Sequence, residues 1–176
     1  MSALPYQAFY CEENVWQQLA DPQLGEGRRY AVFVTNAAKL CPLWAQRAGD
    51  PVFWDYHVFA IVAGEGEVVV WDLDSLLGAP IPLTAYLAGT FPGPLPSPDL
   101  APLFRLVEAE AFHASFRSDR SHMRRDGRWL KPPPPWPPLD GPGPGSNLQT
   151  FLDVHDASHG PWLDRDALGA FFAPRH

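Results

Sequence analysis

Cys11, His57 and Asp72 follow one another in the words FYCEENVW, VFWDYHVF and VVVWDLDS. A thiol, an imidazole and a carboxylate are the parts of a nucleophile, the base that charges it and the acid that orients that base. They stand too far apart in the chain for a local metal clip, but the spacing suits parts that a fold brings together. On residue types alone the chain reads as a cysteine acyl-transfer enzyme.

Each member has a plainer reading. A cytosolic cysteine is most often a small buried hydrophobe, but Cys11 opens a helix expected over 11–20, where the dipole and unpaired N–H groups favour a thiolate and can hold an oxyanion. Glu12 and Glu13 suit the helix start yet oppose the thiolate, so a nearby imidazolium is required. Cys41 precedes Pro42 in an expected strand and is structural. His57 sits in a nearly continuous apolar run, where a lone histidine is ordinarily a hydrogen-bonded core residue; the available Cys and Asp favour the catalytic reading. For the orienting acid, spacing leaves Asp55, Asp72 and Asp74 open.

The elements that must position these residues are strands over 30–35, 40–45, 52–62 and 67–72, rich in Val, Ile, Phe and Trp and divided by Asn36, Gly49-Asp50 and Gly64-Glu65-Gly66. An antiparallel hairpin of 52–62 with 67–72 brings His57 near Asp72 if register and face agree, which sequence does not determine. A further strand over 103–109 leading into a short helix to 116 competes with a single helix across both, and Asn147 and Asp164 are expected N-caps of two short C-terminal helices. The expected fold class is α+β: a mainly antiparallel sheet flanked by helices in a sandwich, papain- or transglutaminase-like, with the nucleophile at a helix N-terminus.

The 176 residues, 46% of them hydrophobic, suffice for one core and are read as a single catalytic domain, 1–176. Of its 21 prolines, 13 lie in loops near 91–102 and 131–145. A formal charge of −7 argues against nucleic acid and anionic membranes. With two cysteines, no leader and no bilayer-length apolar run, the chain is expected in a reducing cytoplasm with free thiols. His155 and His159 have metal-like spacing, but Gly160-Pro161 follows at once and a solvated loop is the better reading; no metal is expected. SDRSHM (118–123) reads as a surface turn with an Asp–Arg pair. PPPPWPP (132–138) reads as polyproline II, either a ligand for another domain or an internal strap.

YCEEN (10–14), YAVFVTN (30–36), WDYHV (54–58), WDLDS (71–75), SDRSHM and PPPPWP, in that order, resemble the protein N-terminal glutamine amidohydrolase family, as does NLQTFLD (147–153). The loop 91–102 and the segment from 154 onward resemble it least. The resemblance implies deamidation of an N-terminal glutamine side chain to glutamate with release of ammonia, a step that feeds eukaryotic N-degron pathways. It implies the triad Cys11, His57 and Asp72, a transglutaminase-like sandwich, no cofactor and a monomer acting on proteins or peptides with a free N-terminal Gln. Such an enzyme must read the substrate's α-ammonium, and Glu12, Glu13, Asp55 and Asp119 are the candidate carboxylates. Other readings are a cysteine peptidase, a transglutaminase-like acyltransferase, and a noncatalytic adaptor using its proline tract.

Overall fold

The β-branched and aromatic run at 28–35 forms β1 (Arg28–Thr35), whose residues from Tyr30 to Thr35 are all buried, so both faces of the strand are covered. The computed structural model describes residues 3–141 and 143–174. β1 pairs with β4 (His57–Ala63) on one side and β7 (Leu103–Glu108) on the other. With β5 (Val68–Trp71) and the short edge strands β6 (Ile81–Pro82) and β10 (Trp162–Leu163), they make a six-stranded sheet in the order β10-β7-β1-β4-β5-β6. All its ladders are antiparallel. Two small hairpins complete the β structure: β2 (Cys41–Leu43) with β3 (Val52–Trp54), and β8 (Arg124–Arg125) with β9 (Arg128–Trp129).

The two-residue period of the strands sorts their side chains into two cores. Ala31, Phe33, Val58, Ala60 and Val62 pack under α1 (Cys11–Leu19), α3 (Ala109–Ser115) and α4 (Leu148–Leu152), which contribute Val15, Leu19, Phe112 and Phe151. On the other face Tyr30, Val32, Val34, Phe59 and Ile61 meet Tyr86 and Leu87 of α2 (Leu83–Thr90) and Leu168 of α5 (Arg165–Phe171), with Cys41 and Leu43 beside them. The architecture is therefore α+β, a mainly antiparallel sheet with helices on both faces.

Three expectations change in detail. The strand expected over 52–62 is two: the Thr35 hydroxyl donates to the Asp55 carbonyl at 2.6 Å, and the Asp55 carboxylate accepts from the Tyr56 N–H at 3.0 Å. Those bonds turn the chain out of β3 and into β4. Asn147 stands at the N-cap of α4 without capping it, because its side chain instead accepts from Arg117 N at 2.8 Å and donates to the Ser115 carbonyl at 2.7 Å. Asp164 does cap α5, accepting from Ala167 N at 2.8 Å. Arg120 does not pair with Asp119 on a surface turn. It is buried, in a left-handed conformation (φ 60°), with a two-pronged bond to Glu13 of α1 at 2.8 and 2.7 Å.

That pair anchors the proline tract as an internal strap. Trp136 Nε1 donates to the same Glu13 carboxylate at 2.9 Å, the Trp136 carbonyl accepts from Arg120 at 2.8 Å, and Tyr10 donates to the Lys131 carbonyl at 3.0 Å. Ser118 and Leu139 exchange backbone bonds further on; Pro142 of the same loop lies outside the described residues. Replacing Arg120 with Met leaves Glu13 charged, enclosed and without its cation, a loss on the order of 3–5 kcal/mol for a broken buried pair. Urea unfolding of Arg120→Met is the check, with Trp136 fluorescence shifting toward its solvent-exposed position; a midpoint within error of the unsubstituted protein would show that the pair does not hold the strap.

Candidate active site

β4 outruns β5. The ladder between them ends at Ala60 opposite Trp71, so His57, Val58 and Phe59 project past β5 at the start of β4. Beyond Trp71 the chain turns through 72–75, with Ser75 N bonding the Asp72 carbonyl at 3.1 Å and Asp74 N bonding the Asp72 carboxylate at 3.1 Å. Continued register would set Asp72 opposite Phe59, on the face of β4 that also carries His57. The two meet there: His57 Nε2 lies 3.1 Å from Asp72 Oδ1, both side chains almost wholly buried. Spacing left three candidates for the acid bonded to His57, and Asp72 is the one in that position.

Asp72 is held from its other side. Its Oδ2 accepts from the Tyr86 hydroxyl at 2.7 Å and from Gln46 Nε2 at 3.3 Å. Burial alone would lower the pKa of His57 and raise that of Asp72, yet their mutual attraction and hydrogen bond outweigh it. His57 is accordingly raised and Asp72 lowered, with Tyr86 and the Asp74 N–H adding to the latter. Because Nε2 is spent on Asp72, Nδ1 is the ring nitrogen left for chemistry.

Cys11 is the first residue of α1 and half-buried. The expected thiolate advantage of the helix start is overcome: burial first, then the charges of Glu12 and Asp74, push the Cys11 thiol well up, against a lowering contribution from the Val58 backbone N–H. Glu13 is paired with Arg120 instead. Glu12 is enclosed completely, its Oε2 accepting from Tyr56 OH at 3.1 Å and facing the Cys11 sulfur at 3.5 Å, while Oε1 lies 3.3 Å from His122 Nε2.

Cys11 and His57 open together into a cavity of about 570 Å³, walled also by Tyr6, Trp54, Tyr56, Asp74 and His122. Of the carboxylates expected to bind substrate, Asp55 reaches this wall and is solvent-exposed. Glu12 lies behind it and Glu13 is engaged by Arg120 and Trp136. Asp119 is exposed, outside the cavity wall, and accepts from Ser121 N at 2.9 Å. Cys41 is fully enclosed in the β2–β3 hairpin, where burial pushes its thiol up to about 12.

His155 is exposed and His159 stacks on Phe151 at 3.8 Å, so this pair does not converge on a metal position. Among the described residues the one trio of converging donors is His57, Asp72 and Asp74, within 4.8 Å of one another. Its members already bond to each other and to Tyr86, Gln46 and Tyr6, with both Asp72 oxygens engaged, so it reads as a hydrogen-bond network that positions His57. Sequence reasoning missed Tyr86, Gln46 and Tyr6. A lone tyrosine in TAYLAG carries no sign of what it touches; the acidic doublet of WDLDS was the visible signal for Asp74.

With this geometry in hand, comparison with known proteins is specific. The chain matches the N-terminal glutamine amidase family over residues 6–172. It is similar to proteins named protein N-terminal glutamine amidohydrolase: 36% identical over 162 residues to that of Bos taurus, covering 86% of this chain and 78% of the bovine one. The human protein is 36% identical over 165 residues, 86% and 79% covered. That of Drosophila grimshawi is 42% identical over 145 residues, 76% and 71% covered.

Proposed function

Because the chain belongs to the N-terminal glutamine amidase family, we propose that it hydrolyses the side-chain amide of an N-terminal glutamine in proteins or peptides, leaving glutamate and releasing ammonia. Cys11, His57 and Asp72 carry the reaction. The single observation that supports this assignment best is the His57–Asp72 bond at Nε2, which leaves Nδ1 as the free ring nitrogen of a residue that lines the same cavity as Cys11.

The Cys11 sulfur attacks the amide carbon as its proton passes to His57 Nδ1. The oxyanion is held by backbone N–H groups at the start of α1, with Val58 N–H beside the sulfur. His57 returns the proton to the leaving nitrogen, ammonia departs and a γ-glutamyl thioester remains. Water, deprotonated by the same nitrogen, opens the thioester and restores the thiol. Asp72 holds the ring and stabilises its positive charge throughout. A papain- or transglutaminase-like arrangement is consistent with this order of parts, and residues 1–176 act as one catalytic domain, a monomer without a cofactor in the cytoplasm. Among the described residues no helix is long and apolar enough to cross a membrane, and the charge of −7 disfavours nucleic acid.

An internal glutamine has the same carboxamide and no α-ammonium. Ammonia release is therefore expected from a Gln-starting peptide and nearly absent from its N-acetylated twin. Equal rates would move the assignment to a general protein glutaminase or transglutaminase, and cleavage of the backbone instead of ammonia release would make it a peptidase.

A further inference from the structure

In glutamine, four single bonds of roughly 1.5 Å hold the α-nitrogen about 4–5 Å from the side-chain amide carbon. When Cys11 attacks that carbon, the ammonium lies within one side chain's reach of the sulfur and inside the cavity. The carboxylates that act most strongly on the Cys11 thiol are Glu12 and Asp74, and Asp74 lines both cavities that Cys11 lines. Glu12 is wholly enclosed behind Tyr56 and His122, whereas Asp74 lines the cavity with Cys11 and His57.

Asp74 is held still on one side and left open on the other. Its Oδ1 accepts from the Tyr6 hydroxyl at 2.6 Å, its backbone N–H is pinned by Asp72, and its carbonyl accepts from Arg47 N at 2.8 Å. Among the described residues it has no cationic partner within 4.0 Å, and Oδ2 carries no protein hydrogen bond. Arg47, the nearby cation of the same wall, faces the Tyr6 ring at 6.0 Å instead. Asp55 also reaches the wall, but it is exposed and its carboxylate accepts from the Tyr56 N–H, whereas Asp74 is among the largest influences on Cys11.

We propose that Asp74 receives the α-ammonium of an N-terminal glutamine, and that this contact readies Cys11 for attack by cancelling a negative charge beside the thiol. The proposal rests on the reaction proposed above and names the group that reads its substrate. Recognition and activation become one event: an internal glutamine supplies no cation, so its carboxamide meets a protonated and sluggish sulfur. Glu12, Asp74 and Tyr56 act on Cys11, with His57 on the same cavity wall; those beside Asp74 are Tyr6, Arg47, His57, Asp72, Tyr86 and Cys11 itself. None but Asp74 is both negatively charged, open to the cavity and without a cation.

Asp74→Asn therefore has two opposed effects, a combination that a purely structural carboxylate would not produce. The KM for a free-amine Gln-starting peptide rises about 10- to 100-fold, the scale of one charge-assisted contact. The substrate-free thiol reacts several-fold faster with iodoacetamide at neutral pH, because a charge that opposed the thiolate is gone. An unchanged KM, or alkylation of Cys11 that is unchanged or slower, overturns the proposal. Should Asp74→Asn not fold, Asp74→Glu keeps the charge and is expected to keep slow alkylation; fast alkylation there overturns it equally. The alkylation arm reads the thiol directly, so an unsubstituted protein that releases no ammonia from any Gln-starting peptide would sink the proposed reaction and leave the electrostatic claim standing on its own result.

Discussion

Cys11→Ala abolishes ammonia release from Gln-starting peptides, and Cys41→Ala keeps most of it. The difference follows from where the two thiols lie. Cys11 opens into the cavity beside His57, whereas Cys41 is fully enclosed between β2 and β3 with no base or acid at hand. Removing the Cys41 sulfur takes away a small piece of apolar burial, on the order of 1 kcal/mol, and no reacting atom. Both thiols are raised, Cys41 by burial alone and Cys11 by burial together with Glu12 and Asp74. Iodoacetamide should nonetheless label Cys11 first, since access is then the deciding factor. A folded Cys41→Ala protein with comparable loss of activity, or mass mapping that finds Cys41 labelled ahead of Cys11, would remove Cys11 from the role of nucleophile.

The legible part of this chain was whatever a local pattern encodes. Apolar runs rich in Val, Ile, Phe and Trp marked β1 and the β4–β5 hairpin, and a cysteine followed by two glutamates marked the start of α1. The aromatic and acidic words around Cys11, His57 and Asp72 carried the family resemblance that the comparisons bear out. What escaped was set by contacts across the chain. Nothing near Arg120 announces that its partner is Glu13, more than a hundred residues away, instead of adjacent Asp119. Two glutamates side by side look alike in sequence, yet Glu13 ties the strap to α1 while Glu12 sits against the nucleophile, because successive residues of a helix point about 100° apart. The break at Asp55–Tyr56 likewise depends on a hydroxyl from β1. Without that break, His57 would be an interior strand residue; with it, His57 begins β4 at the point where β5 has stopped pairing and a cavity can form.

Asp72→Asn should fold and lose turnover by a factor on the order of 10³ or more, the scale of losing an orienting acid in other triads. Every group that bonds Asp72 donates to it: His57 Nε2, Asp74 N, the Tyr86 hydroxyl and Gln46 Nε2. An asparagine has one oxygen to offer and must turn its NH₂ on one pair of them. Turned toward His57, it makes Nε2 an acceptor and moves the ring proton to Nδ1, where the sulfur's proton has to go. Turned toward Tyr86, it meets the Gln46 amide and still lacks the charge that stabilises imidazolium. Tyr86→Phe removes one donor and spares the charge, so its loss should be far smaller, and Asp74→Asn should appear mainly in KM. Burial lowers the His57 pKa and Asp72 is the largest influence raising it, so in Asp72→Asn the acid limb of the kcat profile, set by the neutral ring that takes the sulfur's proton, moves to lower pH. Stability gives a second reading. Asp72 is lowered on folding, so its contribution is present above its unfolded value of 3.8 and fades as pH falls through the folded pKa. His57 is raised, so its contribution is complete below 6.5 and fades as pH rises through the folded pKa. The stability deficit of Asp72→Asn against the unsubstituted protein should therefore be greatest between about pH 3.8 and 6.5 in urea unfolding. A deficit that does not vary with pH would mean that the two side chains share a hydrogen bond without sharing charge, and a mild kinetic effect beside a large one for Asp55→Asn would give the orienting role to Asp55.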